Sequence, residues 1–343
     1  MAEAAASAKG LAPSARAGGL VVLAGLLVAV LVLSIAVGAR AIPLSDIWSA
    51  LVAFDPSQTN HRIILDLRLP RTLVGLLVGA ALGLSGAILQ GATRNPLADP
   101  GILGINAGAT LCVVLGISVF GITQLSGYVW LAFLGAGGAT VAVYLIASLG
   151  REGATPVKLA LAGAAVTAVL TSVTSAILIT SVETLDQIRF WQVGALTGRT
   201  NEILLQVTPF ILAGIVLALA TSRILDGLAL GDDVARGLGM KVQRSRALVG
   251  LAAVILAGAA TAAAGPIAFV GLTVPHVARA FTGPNYRWLL PYSMLLAPVM
   301  LLGADIVGRV IVPPGELQVG IVTAALGAPF FIALVRRRKL AEL

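Results

Sequence analysis

Stretches of about twenty residues almost free of charge recur along this 343-residue chain, and nothing else about it constrains the fold so strongly. A helix crosses hydrocarbon in about 20 apolar residues rising 1.5 Å each, and it satisfies every backbone N–H and C=O within itself. Apolar runs fall at Leu20 to Val37, Thr72 to Leu89, Ile102 to Phe120, Tyr128 to Leu149, Leu159 to Ser181, Ile203 to Ala220, Ala247 to Ala263, Pro266 to Phe281, Leu289 to Ile311 and Val319 to Val335. The predicted fold is an all-α polytopic membrane protein with about ten transmembrane helices. Gly265-Pro266 divides the seventh run from the eighth. Residues 1–19 and 336–343 read as tails around one membrane domain, 20–335. The first run exceeds the 7 to 15 apolar residues of a signal peptide core and is read as a retained span.

Only 11% of the residues are charged against 58% hydrophobic, too few charges to cover a soluble domain. The 39 glycines suit helices whose backbones approach closely in lipid. A formal charge of +8 raises the question of nucleic acid, but the basic residues are scattered between apolar runs and build no single face, which excludes that class. A lone Cys112 rules out an internal disulfide and a cysteine metal cluster. Loop charge sets orientation, because inner loops are enriched in Lys and Arg. With the first span leaving from the inner face, Arg40, Arg62, Arg68, Arg71, Arg189, Arg199 and Arg309 lie outside, and the other sixteen of the 23 basic residues lie inside. The expected location is the cell (inner) membrane, multi-pass, with both termini cytoplasmic.

Within "RLPRTLVGLLVGAALGLSGAILQ", Arg68 and Arg71 share one turn at the mouth of a span that carries no further charge. Such a pair either anchors the helix at the interface or faces a charged partner outside. "RNPLADPGILGINAG", Arg94 to Gly108, holds Pro96 and Pro100, which bias Asn95 and Asp99 away from helix. Broken backbone at membrane depth survives only beside protein or a water-filled cavity, so the segment is a gate or an ordinary tight turn. "RILDGLALGDDVARGLGMKVQRSR", Arg223 to Arg246, is the longest hydrophilic inner segment. There Asp232 and Asp233 are positioned to cap a short helix with Val234, Ala235 and Leu238, ended by Gly239. This helix is either a docking knob for a cytoplasmic protein or an interfacial helix on lipid headgroups.

Glu183 to Asn201 carries Phe190 and Trp191, an interfacial anchor or the wall of an outer vestibule. His276 is a proton relay or a structural hydrogen-bonder, and Asp305 lies four residues before Arg309, a spacing that allows pairing on one helix face. "RTLVGLLVGAALG" from Arg71 and "RALVGLAAVILAG" from Arg246 share five of their first six residues, an internal repeat or a coincidence of small apolar residues. Nothing matches G-x-x-x-x-G-K-[ST], H-E-x-x-H or G-x-S-x-G, so no catalytic role is expected.

The stretches "RLPRTLVGLLVGAALGLSGAILQGATRNPLADPGILGINAGA", "GPIAFVGLTVPHVAR" and "ADIVGRVIVPPGELQVGIVTAALGAPFFIALV" together resemble the FecCD family of ATP-binding-cassette importer permeases, which carry ferric siderophores, haem or cobalamin. The likeness runs from about Ile42 to Arg338, and R-L-P-R and N-P-L-A-x-P-G are its specific elements.

That resemblance implies a BtuC-like type II importer permease of ten helices. Its partners would be a second permease subunit in a homo- or heterodimer, two cytoplasmic ATPases that bind the ATP and magnesium, and an extracytoplasmic substrate-binding protein. It implies that Arg68, Arg71 and Arg309 meet acidic lobes of the binding protein, and that Asn95 and Leu97 form the cytoplasmic gate. It also implies that Asp232, Asp233, Val234, Arg236, Gly237, Leu238 and Gly239 engage the ATPase. The sequence departs from the family at Thr155-Pro156, where a polar pair is expected. An ion-coupled secondary transporter is the alternative, with Asp305 and His276 as its only candidate coupling residues.

Overall fold

The computed structural model describes residues 12–38, 40–149, 155–313 and 315–339. The outermost parts of both expected tails, 1–11 and 340–343, lie outside the described residues. Every regular element among the described residues is helical. In chain order these are α1 (Pro13–Ala36), α2 (Leu44–Val52) and α3 (Thr59–Arg62), which runs through a π turn (Ile63–Arg68) into α4 (Leu69–Thr93). A 3₁₀ turn (Pro100–Leu103) precedes α5 (Ile105–Phe120), α6 (Leu125–Ala147), α7 (Pro156–Thr180), α8 (Val182–Gln192) and α9 (Asn201–Ala220). The remainder comprises α10 (Ser222–Ala229), α11 (Asp232–Gly237), α12 (Val242–Ala264), α13 (Val270–Thr282), α14 (Tyr286–Val310) and α15 (Val319–Lys339).

All ten apolar runs are helical, but they differ in length. Seven helical stretches among the described residues are long and apolar enough to cross a membrane: α1, the continuous 59–93 unit, α6, α7, α9, α12 and α14. Three are shorter than the hydropathy suggests. α5 has 16 residues because Pro96, Pro100 and a left-handed Gly104 hold 94–104 out of the α-helix. α13 has 13 residues because Gly265, at φ 76°, ends α12 at the expected break and the backbone stays irregular until Phe269. In α15 the apolar part is Val319–Ala333.

The core lies around α4 and α12. Their most apolar windows are 83% and 67% buried, against 11% for α1 and 17% for α7. α4 packs against α14, α12, α13 and α9, so it is the axis of the bundle. Close crossing depends on missing side chains: a Cβ on Gly86 would drive into the carbonyl of Gly271 on α13. The two echoing segments lie in α4 and α12, and these two helices pack on each other. Trp191 is buried, and the backbone carbonyl it carries abuts Gly265. It is thus a core residue rather than an interfacial anchor, while Phe190 stays exposed under Arg189.

Candidate functional site

At one end of the bundle four arginines gather around two carboxylates. Arg71, in the first turn of α4, grips Asp305 of α14 with two parallel bonds, Nε to Oδ2 at 3.1 Å and Nη2 to Oδ1 at 2.7 Å. Its third nitrogen, Nη1, donates to Glu316 Oε2 at 2.8 Å. Arg309 pairs with Asp305 Oδ2 at 2.9 Å, the one-turn pairing that its spacing predicts. Arg309 also donates to the backbone carbonyls of Ser34 and Val37 at 2.7 and 2.9 Å and to the Ser34 hydroxyl at 2.9 Å. Ser34 in turn bonds Thr72 at 2.8 Å, which knits α1, α4 and α14 into one joint. Arg68 donates to the carbonyls of Ile35, Ala36 and Arg40, all uncharged acceptors.

The three arginines to which the family resemblance gives a docking role are therefore buried, at 8%, 9% and 3% exposure, and already hold partners within the chain. Two of them are joined through Asp305, which is fully buried. Asp305 is thus engaged on both oxygens by guanidiniums of the same chain, the structural pairing that its spacing to Arg309 allows. His276 packs edge-on against Phe330.

Arg199 is the member that the sequence does not single out. It sits 4% exposed in the loop between α8 and α9, and among the described residues no acceptor pairs with it. Burial, with the charge of Arg71 added, pulls its guanidinium down to about 10, so it stays protonated at neutral pH. The loop is held by Ala195 N–H to the Ala264 carbonyl at 2.8 Å and by Gly320 N–H to the Gly194 carbonyl at 3.0 Å. Glu316 also accepts from Thr197 at 3.1 Å. Burial pushes the Glu316 carboxyl up, but hydrogen bonds from Arg71 and Thr197 and the charges of Arg71 and Arg309 outweigh it and hold the group below its ordinary value. Four guanidiniums against two carboxylates leave this cluster, taken by itself, locally positive.

At the opposite end, α4 stops at Arg94, which takes the left-handed conformation at φ 52°. Such a backbone in a non-glycine residue costs about 1–3 kcal/mol and persists only where its surroundings hold it. Asn95 is exposed and its side chain accepts from Leu97 N–H at 2.9 Å, while Asp99 accepts from Gly101 N–H at 2.9 Å. Both are turns in which a side chain imitates the backbone. Leu97 is half-buried. Thr155, at the departure from the family pattern, caps α7 by accepting from Lys158 N–H at 3.3 Å.

The hydrophilic inner segment folds as α10, α11 and the start of α12. Its capping differs from expectation. Gly231, at φ 99°, is the N-cap of α11, because that backbone suits glycine, and Asp232 and Asp233 occupy the first turn. Their carboxylates go elsewhere: Asp232 to Arg94 at 3.4 Å and Arg246 at 2.8 Å, Asp233 to Arg236 at 3.0 Å. Leu238 is the C-cap rather than a helical residue, since Gly237 is the last one. The end is a Schellman motif, with Gly239 N–H to the Arg236 carbonyl at 2.9 Å and Met240 N–H to the Ala235 carbonyl at 3.0 Å. Val234 and Leu238 stand 51% and 66% exposed around the buried Ala235, so α11 presents an apolar knob.

Between the two ends, α7 leaves one face open. A groove of about 930 Å³ runs along it, lined by Ala164, Thr167, Thr171, Ser172 and Ser175, with Gly101 of the 3₁₀ turn. The spacing i, i+3, i+7, i+11 of Ala164, Thr167, Thr171 and Ser175 puts small and hydroxyl side chains on one helix face. Hydrophobic runs hide this stripe, because threonine, serine and alanine barely interrupt an apolar window.

Comparison with known proteins places this geometry in a family. Residues 26–337 match the FecCD transport family. The chain is 48% identical over 314 residues to the Escherichia coli ferric enterobactin transport system permease protein FepD, covering 91% of this chain and 93% of that one. To the Bacillus subtilis Fe(3+)-citrate import system permease protein YfmD it is 45% identical, covering 89% and 90%. A solved structure described as an inward-facing conformation of a metal-chelate type ABC transporter superposes with a TM-score of 0.81 at 31% identity, covering 94% of this chain and 99% of that one. The chain is an integral membrane protein that belongs to the FecCD transport family, the permease components of ABC importers.

Proposed function

We propose that this permease carries ferric siderophores, with haem and cobalamin as the next substrate classes, along the open face of α7. The observation that carries the reading is the groove: a membrane helix with one uncharged, small and hydroxyl-lined face that no neighbour among the described residues covers. A bulky chelate handed over by another protein needs a wall that it can slide past, not a tight site. The relatives' names, ferric enterobactin and Fe(3+)-citrate, favour iron chelates as the cargo.

One chain supplies half a conduit. A second permease subunit, identical or related, closes the groove from the other side. Gly101 lines the groove where it meets the segment of Asn95 and Leu97, which supports that segment as the inner gate. The exposed Val234 and Leu238 of α11, with Asp233 and Arg236 beside them, support docking into a cleft on a cytoplasmic ATPase. Two such ATPases bind the ATP and magnesium.

At the outer end, the surplus positive charge of Arg68, Arg71, Arg199 and Arg309 suits an acidic, extracytoplasmic substrate-binding protein. Any attraction from this cluster acts at short range, on a carboxylate brought directly over it. Arg68 is held by neutral carbonyls and not by a carboxylate, so its charge is not offset by an ion pair. The inner-side excess of Lys and Arg supports a cell-membrane protein with both termini cytoplasmic.

The test is uptake of radioactive iron, presented as catecholate, hydroxamate or citrate chelate on the cognate binding protein. The vesicles hold the complete importer. Uptake is expected to need ATP and to ignore proton and sodium gradients. Uptake driven by an ion gradient without ATP would overturn the reading.

A further inference from the structure

We propose that Asp232 is a positioning residue that ties the ATPase-facing helix α11 to the gate segment through Arg94, so that movement of one is imposed on the other. The inference rests on the reading of α11 as the docking helix and of Asn95 and Leu97 as the gate.

One carboxylate oxygen makes the connection. Asp232 Oδ1 accepts from Arg246 Nη2 at 2.8 Å and from Arg94 Nη2 at 3.4 Å. The first bond fastens α11 to the second turn of α12, which belongs to the buried core of the bundle. The second reaches across 138 residues to the last position before Asn95. Arg94 is one of only two non-glycine residues at positive φ among the described residues, and it is the point where α4 ends and the gate segment begins. A backbone held in that well is a junction with a small number of alternative states, which is what a two-position gate requires.

The tie crosses a cleft of about 430 Å³, bordered by Arg94 on one side and by Leu230, Asp233, Val234 and Arg236 on the other. The Arg94 guanidinium lies over Gly231 at the start of α11, and its contact with Asp232 is the ion pair that joins the two elements among the described residues. The charges nearby have other tasks. Arg236 is taken by Asp233, an exposed pair within α11. Arg94 and Asp232 are half-exposed, so their contact is too weak to hold the fold and able to break and re-form. A contact of that strength chooses which segments move together. Loss of Asp232 is therefore expected to leave an assembled, ATP-hydrolysing importer whose gate no longer follows.

The experiment uses the complete importer in proteoliposomes, with Leu97→Cys as the sole permease thiol after Cys112→Ser. Its inner-side labelling by a charged maleimide is followed with and without magnesium ATP. In the otherwise unchanged importer, ATP should alter the labelling rate about fivefold or more. Asp232→Asn should reduce that response to below about twofold while ATP hydrolysis persists, and Asp232→Glu should restore it. Arg94→Ala, which leaves α11 untouched, should reproduce the loss, and the double variant should be no worse than either single one. Retention of the ATP response in either single variant, or additive effects in the double, would overturn the proposal. So would loss of the ATPase from the Asp232→Asn complex, which would make Asp232 part of the docking surface instead. If the unsubstituted importer hydrolyses ATP with no ATP-driven uptake, and the Leu97→Cys, Cys112→Ser parent gives no labelling response, the importer reading itself fails, an outcome distinct from a responsive parent with a responsive variant.

Discussion

The two ends of the bundle use the same ionic chemistry at opposite depths. In the outer cluster the side chains of Arg71 and Asp305 are 11% and 1% exposed, and the carboxylate accepts from two arginines of two helices. In the inner cluster Arg94 and Asp232 are 43% and 23% exposed and meet at 3.4 Å. A buried pair is costly to break, because whichever charge remains is stranded in low dielectric. A half-exposed pair can be replaced by water at little cost. The outer end is therefore a fixed joint that holds α1, α4 and α14 in one arrangement, and the inner end is a joint that can move. On the proposed reading, a permease worked from one face and loaded at the other would use that asymmetry.

Asp305→Asn breaks the comparison most severely. It leaves Arg71 and Arg309 buried with one carboxylate between them, that of Glu316, and removing one partner of a buried ion pair costs about 3–5 kcal/mol. The expected result is a large fall in thermal stability of the detergent-purified protein, or failure to accumulate in the membrane. An unchanged melting temperature would mean that the outer cluster is not the joint described. By the same logic Arg71→Glu is a poor probe of docking, since it destroys the joint before it tests the surface.

Leu238→Asp, at the apolar knob of α11, is the second. Leu238 is two-thirds exposed, so the fold should lose less than about 0.5 kcal/mol. The affinity for the ATPase should fall about tenfold or more, read as a fall in co-purification, because an apolar anchor centred in an interface contributes 1–2 kcal/mol or more. An ATPase that binds this variant normally would remove α11 from the docking surface.

The contrast between the ends also separates what the sequence displays from what it hides. Helix positions were legible, because a twenty-residue apolar window is a long signal, and so were the breaks at Pro96, Pro100 and Gly265. The Asp305–Arg309 pair was legible because one helical turn fixes its geometry. Arg71 and Asp305 lie 234 residues apart, and no local pattern announces that they meet. Their burial was hidden for the same reason: an arginine at the end of an apolar run looks like a surface residue until the helices that cover it are placed. The capping of α11 was misread because Asp is a common N-cap, whereas here Gly231 takes that position and frees Asp232 to reach two other helices.

Arg68→Gln sharpens the comparison from the outer side. The amide removes the charge, but its shorter reach leaves carbonyls of Ile35, Ala36 and Arg40 without their donor, so a modest loss of stability should accompany the change and association rates are compared on folded protein. Encounter with an acidic binding protein should slow a few-fold at low ionic strength, and the difference should shrink as salt is added, since exposed charges are screened within about 10 Å at 0.1 M. Equal association rates for the two forms at low salt would show that Arg68 is structural only.

The smallest effect is a pH response of the fixed joint. Glu316 has its carboxyl held below the ordinary glutamate value of about 4.3, so the folded chain prefers the charged form. The stabilisation is then fully present above that ordinary value and is lost as pH falls through the lower folded value. Glu316 is partly exposed, at 27% of its side chain, so solvent screening limits the loss to under about 1 kcal/mol. Thermal melts across that acid range should show a modest fall that Glu316→Gln abolishes, because the amide has no proton to gain. Asp305 lies deeper in the same cluster and keeps its bonds to Arg71 and Arg309 in Glu316→Gln, so that variant should melt well above Asp305→Asn. If Glu316→Gln melted as low as Asp305→Asn, the outer end would be a single interdependent network rather than a buried pair with a dispensable rim, and the depth contrast between the two ends would need to be redrawn around Glu316.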